Sequence, residues 1–406
     1  MTSLRGRVVV AAAVACLAVA GCHAGPSSAP SASALNADGC ISAFDAAQDY
    51  FPDKATFSKA SNITVEYHRS YKVVTVKQPA PGASAETYVL VHCGAPAPTL
   101  EGDLEEAQKI TVPVKRVAAA STTQVPAFEL ANRVDALAGV GNAEMISDGP
   151  TKDAIAAGKI QGLQSDGMSV SVESVAGVKP DLFVTSGTSD PAHAKIRELG
   201  IPVVADAEWL ETSPLGRSEW IKLQALFLNA EATINPVFDK IVKDYTEVAA
   251  KAAAATGAKP TVLAGAMYQG EFNAASEDGY VGALIRDAGA TNALAAETSG
   301  QGSTKLGLEV VLAKGSSAQF WINSNLGGPS ATLAAVTQAD PRLAELQAVK
   351  DGSVWDYSKR VNASGGNDYW QNGVVRPDLV LADLVAIFHP EVLPNHQFTY
   401  YEQIKR

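Results

Sequence analysis

Short apolar runs broken by Gly, Pro and charged residues set the rhythm of this chain from position 63 onward. Ile63–Val76 (ITVEYHRSYKVVTV) and Tyr88–Val91 (YVLV) are rich in β-branched and aromatic residues and predict strands, with the PAPGAS between them a turn. From Val112 the apolar runs begin to alternate with helical spacing. Val114–Ala120, Leu182–Thr185 and Pro202–Ala205 predict strands, while Leu130–Ala138, Val172–Val178 and Ala192–Leu199 predict helices. The same pattern returns with Pro260–Ala264, Gln319–Ile322 and Ser353–Tyr357 as strands. Alternation of this kind predicts parallel sheets wound with helices.

Between the two alternating regions lies Glu219–Ala255, rich in helix formers. Its apolar residues Trp220, Leu223, Phe227, Phe238, Ile241 and Tyr245 fall on a stripe of near-helical spacing. Pro236 interrupts the stripe and predicts a kink or two abutting helices. From Pro236 to Ala255 a helix would run about 30 Å at 1.5 Å per residue, enough to cross two lobes. The expected fold is α/β, with two Rossmann-like lobes of parallel sheet joined by a long rigid bridging helix. A small N-terminal β-rich appendage precedes them. The expected segments are a leader at 1–21, a flexible stalk at 22–39 and the appendage at 40–111. An N-terminal lobe at 112–213, the bridge at 214–256 and a C-terminal lobe at 257–406 complete the chain. Lobes held in this way leave a cleft at the C-terminal ends of their strands, where open α/β sheets bind ligands.

The N-terminus adds a location. Arg5 and Arg7 precede an uncharged run from Val8 to Ala20, followed by Gly21 and Cys22. A basic segment, a short apolar segment and small residues make a secretory leader. The run is too short for a hydrocarbon core of about 30 Å. Cys22 directly after the small residues predicts lipidation there, and therefore an extracytoplasmic protein anchored to the cell membrane through lipid. Residues 24–39, rich in Ser, Pro and Ala, read as the stalk. Loss of Arg5 and Arg7 takes the formal charge from −11 to −13, which repels nucleic acid. With Cys16 in the leader and Cys22 acylated, Cys40 and Cys93 are left to form a disulfide in an oxidising compartment.

The chemistry-bearing residues point to binding rather than catalysis. Gly139-Val140-Gly141-Asn142-Ala143-Glu144 lacks the third glycine of a dinucleotide loop and reads as a turn. Neither a phosphate-binding Gly-x-x-x-x-Gly-Lys-Ser/Thr run nor a Gly-x-Ser-x-Gly elbow is present. His68, His92, His193, His389 and His396 are scattered without metal-ligand spacing, so no metal site is expected. Ser121, Thr122 and Thr123 follow the first strand of the first lobe, and could hold a polar ligand or cap a helix. Tyr268, just after a second-lobe strand, is expected to point into the cleft, with Glu271 close by; Trp321, on another strand, either packs in the core, the favoured role, or touches the ligand. Tyr369 and Trp370 lie in the Gly/Asn-rich segment Asn362–Gly373, expected to act as a lid. Aromatic side chains grip a large flat ligand through area and stacking. Trp209 and Trp220 flank the hinge, where packing is the expected role.

Several segments together resemble the helix-bridged solute-binding lipoproteins of ABC importers. These are Val172-Glu173-Ser174-Val175 followed by Lys179-Pro180-Asp181-Leu182, then Gly200-Ile201-Pro202-Val203-Val204. Ala283–Ala290, Leu346–Val354 and Trp370–Leu393 continue the series, and Pro214–Lys222 resembles a subgroup motif at the start of the bridge. The resemblance implies no intrinsic cofactor and a bound ligand such as a ferric siderophore, a corrinoid (cobalamin) or haem. It implies a permease and an ATPase as partners. Known members dock through a Glu on each lobe. The nearest acids here are Asp190, in the first-lobe loop Ser186–Pro191 that also carries Thr188 as a ligand-binding candidate, and Asp340 in the second lobe. A cell-surface sensor that no longer transports is the alternative reading, and an enzyme on the same scaffold is a third.

Overall fold

The structure, a computed structural model, describes residues 35–165, 169–323 and 332–405. The leader, Cys22 and most of the stalk lie outside these residues. Among the described residues no helix is long and apolar enough to cross a membrane.

The appendage is a four-stranded sheet of β1 (Ile63–Tyr67), β2 (Tyr71–Val76), β3 (Glu86–His92) and β4 (Gln108–Val112), in that order. The first three strands are antiparallel, and β4 runs parallel to β3. The single strand expected over Ile63–Val76 is thus a hairpin, because polar His68-Arg69-Ser70 interrupts the alternation and the His68 N–H donates to the Tyr71 carbonyl at 2.8 Å. Ile63, Val74, Leu90 and Ile110 turn inward and share one core with the first lobe and the bridge. Cys40 and Cys93, separated by 53 positions in sequence, are disulfide-bonded beside this sheet.

The first lobe contains β5 (Val117–Ala119), β6 (Leu137–Gly141), β7 (Gln161–Leu163), β8 (Leu182–Thr185) and β9 (Val203–Ala205). All are parallel in the order β7-β6-β5-β8-β9. The order reverses between β5 and β8, which opens a crevice beyond their C-terminal ends. Leu130–Ala138 is not one helix, and only a single 3-10 turn, Val134–Ala136, lies inside it. The helix ends earlier (Val125–Leu130), Asn132 turns left-handed at φ 55°, and Leu137 already begins β6. The Gly139–Gly141 stretch read as a turn is therefore the end of that strand.

The second lobe contains β10 (Thr261–Tyr268), β11 (Glu271–Ala275), β12 (Thr291–Asn292), β13 (Ser303–Leu306), β14 (Phe320–Ile322), β15 (Val354–Asp356) and β16 (Glu402–Gln403). Its centre is parallel (β12, β10, β14, β15), and β11, β13 and β16 add antiparallel strands. β10 runs further than its apolar run predicts, because Gln269 and Gly270 (φ 52° and 84°) form a tight turn into β11.

The bridge comprises helices Pro214–Glu219, Ile221–Leu228 and Glu231–Ala253. The break falls at Asn229, in the left-handed region, and not at Pro236. Pro236 lies on the exposed face of the long helix, one turn beyond its start, and the chain continues through it. The 23 residues of that helix span about 34 Å. Ile234, Phe238 and Ile241 belong to the first lobe's core, and Tyr245 and Ala252 to the second's, so one rod serves both.

Candidate ligand-binding site

A cleft of about 490 Å³ lies where the lobes face each other, within the roughly 300–1,000 Å³ usual for small-molecule sites. Trp209 stands on the first-lobe side, in the loop beyond β9. Tyr268, Tyr357 and Trp370 stand on the second-lobe side. Three of them keep much of their surface in solvent: Trp209 is 42% exposed, Tyr268 60% and Trp370 40%. Large side chains left open on facing walls mark a surface waiting for a partner. The two tryptophans are aimed from behind. The Trp209 indole N–H donates to the Ser186 carbonyl at 3.0 Å, and Trp370 meets the edges of Tyr357 and Tyr369 with centroids 5.4 and 5.0 Å apart.

Behind this surface is a layer of phenols. Tyr369 stacks on Tyr357 at 4.5 Å and shares a hydrogen bond with Tyr280, while the Tyr401 hydroxyl donates to Asn323 at 2.7 Å. Burial pushes the phenols of Tyr280, Tyr357, Tyr369 and Tyr401 above their ordinary value, so they stay neutral. At the cleft floor the buried Arg217 guanidinium lies 4.6 Å from the Tyr280 ring centroid and is held by Glu208 at 2.7 Å. Burial opposes its charge, but the Glu208 carboxylate and the neighbouring phenols together raise its proton affinity.

A second recess of about 230 Å³ lies at the C-terminal ends of β5, β6 and β8. Ser121, Thr122, Asn142, Met145 and Thr188 are among its walls. Ser121 also caps the short turn Thr122–Gln124, so the capping and lining readings hold together. The Thr123 hydroxyl is 3.0 Å from that of Ser121, and Thr123 is not among the recess walls.

Several expected ligand contacts belong elsewhere. Trp321 is 1% exposed, sits in the second-lobe core beside Leu263 and Phe272, and donates its indole N–H to the Gly265 carbonyl at 2.8 Å. Tyr369 is also 1% exposed and supports Trp370 from behind. Glu271 is turned to the surface, 3.6 Å from Lys305, outside the cleft walls. Of the two docking candidates, Asp190 accepts from Ser169 Oγ, the Val170 N–H and the Ala192 N–H and so staples its own loop. Asp340 is paired with Arg342 at 2.7 Å.

The segment 362–373 is no lid. The Asn362 amide donates to the carbonyls of Glu144 and Ile146 at 3.2 Å, and the Ser147 N–H donates to Gln371 Oε1 at 2.8 Å. At Gly366 an added Cβ would fall 1.9 Å from the Met145 carbonyl oxygen, an approach only glycine permits. This segment straps the second lobe to the first. Trp209, assigned to hinge packing from sequence, instead lines the cleft. Its one sequence signal is its place just past the C-terminal end of a parallel strand.

With this geometry in view, the comparisons with known proteins are direct. The model of the periplasmic binding protein family matches residues 117–361, more than half of the chain. The chain belongs to this family. An uncharacterized lipoprotein of Methanocaldococcus jannaschii is 28% identical over 331 residues, covering 79% of this chain and 76% of the relative. A solved periplasmic binding protein of Veillonella parvula shares the fold with a TM-score of 0.55 at 15% identity, over 82% of this chain and 99% of its own. The periplasmic haem-binding protein HutB of Vibrio cholerae shares it with a TM-score of 0.51 at 16% identity, over 66% and 98%. Family membership and the bridged two-lobe fold agree with the resemblance carried by the residues.

Proposed function

We propose that this chain is a lipid-anchored, extracytoplasmic solute-binding protein that captures a ferric siderophore or a related large metal chelate and delivers it to an ABC importer. The observation that supports this most is the aromatic-walled cleft, open between lobes that one continuous helix and one strap hold apart. Affinity in such a frame comes from a site formed in advance, with little closure needed. Family membership supports binding rather than catalysis, and Cys22 after a leader supports the anchor. Among the described residues no three His, Cys, Asp or Glu are grouped to hold a bare metal ion, which favours iron that arrives already chelated.

Titration of the full chain with ferric chelates, followed by tryptophan fluorescence, tests the reading, because Trp209 and Trp370 stand at the cleft. Saturable quenching is expected. A folded chain that binds neither iron chelates nor tetrapyrroles overturns it. A second reading, haem as the ligand, is favoured by Tyr268, whose phenol stands at the exposed tip of β10 as a candidate axial ligand. On that reading added haem shows a Soret shift that Tyr268→Phe abolishes.

A further inference from the structure

The charge inventory of the cleft narrows the ligand class, and this step rests on the chelate-binding reading above. Of the described cleft-lining side chains only Glu211 and Arg217 are charged, and both are committed. Glu211 accepts from the Ser61 and Asn62 N–H groups and from the Trp220 indole. Arg217 is neutralised by Glu208 at 2.7 Å. The remaining polar walls are amides and hydroxyls, among them Asn273, Gln301, Ser303 and Asn323.

Nearby cations are committed too. Lys305 faces Glu271 at 3.6 Å, Arg360 faces Asp368 at 3.1 Å, and Arg286 faces Glu277 at 2.7 Å. Among the described walls of the first-lobe recess the one carboxylate is Asp190 and the one histidine is His193. Positions 166–168 and 324–331 contain no Lys or Arg. Among the described residues one electropositive feature remains at the cleft, the N-terminus of helix Tyr280–Asp287, whose Gly279 and Tyr280 line it. A helix terminus carries only about half a unit charge.

We propose that the cleft selects metal chelates of zero net charge and rejects polyanionic ones. A trianionic chelate entering here loses hydration and meets no uncompensated cation, and the chain's net charge of −11 opposes it further. A neutral chelate gives up little hydration and gains the aromatic walls of Trp209, Tyr268 and Trp370.

The test uses the full chain in detergent at near-physiological salt, with a neutral ferric trihydroxamate and a trianionic ferric tris-catecholate as probes. The neutral complex is expected to bind at least on the order of thirtyfold more tightly, since each unscreened unit charge in a partly buried site counts heavily. Equal or tighter binding of the trianion overturns the charge selection and leaves chelate capture standing. Failure of both probes to bind a folded chain overturns both readings. Glu208→Gln, which releases the Arg217 charge into the cleft, is expected to strengthen trianion binding by on the order of tenfold while neutral binding stays within about twofold. Parallel loss or no change with both probes overturns the proposal. The wild-type comparison stands even where that variant folds poorly.

Discussion

At the junction of appendage and bridge, Glu219 accepts from the Ser58, Lys59 and Ala60 N–H groups and pairs with Lys222 at 2.8 Å. Glu231 there pairs with the fully buried Lys72 at 2.5 Å, and Lys72 also donates to the Leu226 carbonyl. Across the cleft, by contrast, Trp209, Tyr268 and Trp370 leave apolar surface open to water. One region has every buried charge answered and nothing left to gain. The other keeps its interaction energy unused until a ligand covers it. The difference separates a frame from a site: the appendage is clamped to the bridge by carboxylates, so the rod and its first lobe hold their geometry before anything binds.

Substitutions at the two regions are expected to act on different observables. Glu219→Ala leaves three backbone N–H groups without their acceptor and the buried Lys222 without its counter-ion, and is expected to cost about 3–5 kcal/mol in chemical denaturation. A loss under about 1 kcal/mol would break the contrast, because the junction would then be no stiffer than a surface.

Asp206 probes the frame by pH. It is fully buried, burial and the neighbouring Glu208 push its carboxyl up to about 7, and Gln224 donates to it at 2.8 Å. Its ordinary value is 3.8. Between those values the folded chain holds a proton that the unfolded chain has released. This group therefore favours folding most below about 4, and its contribution is lost as pH rises through 7. Asp206→Asn is expected to stabilise the protein by on the order of 2 kcal/mol at pH 8 relative to pH 5. Equal effects at both pH values in paired denaturation curves would remove Asp206 from the frame's energetics.

Trp370→Ala and Trp209→Ala act on the site. Each is expected to weaken chelate binding about tenfold and to change stability by less than about 1 kcal/mol. A melting temperature that falls while affinity holds would reverse the assignment. The smallest effect is expected at the exposed pair Lys243–Glu247, 3.9 Å apart on the bridge. Lys243→Ala should change stability by under about 0.5 kcal/mol and binding not at all.

The element pattern was largely legible in the sequence because it is written in local periodicity. Leu182–Thr185 and Val172–Val178 show their strand and helix spacings within a few residues, and the structure has a strand and a helix there. Leu130–Ala138 was misread because a left-handed Asn132 ended a helix inside an apolar run. The site was less legible. Tyr268 and Trp370, expected at the cleft from their places beyond strand and loop, line it; Trp209, expected to pack at the hinge, lines it too, and Trp321, open between core and ligand contact, lies in the core. An indole at a strand end has no local mark of whether it faces core or cleft. Remote segments decide that: Phe272 and Gly265 enclose Trp321, and Ser186 turns Trp209 outward.

From its own residues alone, this chain determined two wound sheets, the helix between them and the stapling cysteines. Each depends on neighbours in sequence, on repeat spacing or on residue type. Only the tertiary structure decided that Asn362–Gly373 is a strap and that Glu211 and Glu219 clamp the appendage. Those outcomes depend on which charge or carbonyl arrives from more than a hundred positions away, as Glu144 does for Asn362 and Ser58 for Glu219. Electrostatic and packing partners at such separations leave no trace in local spacing.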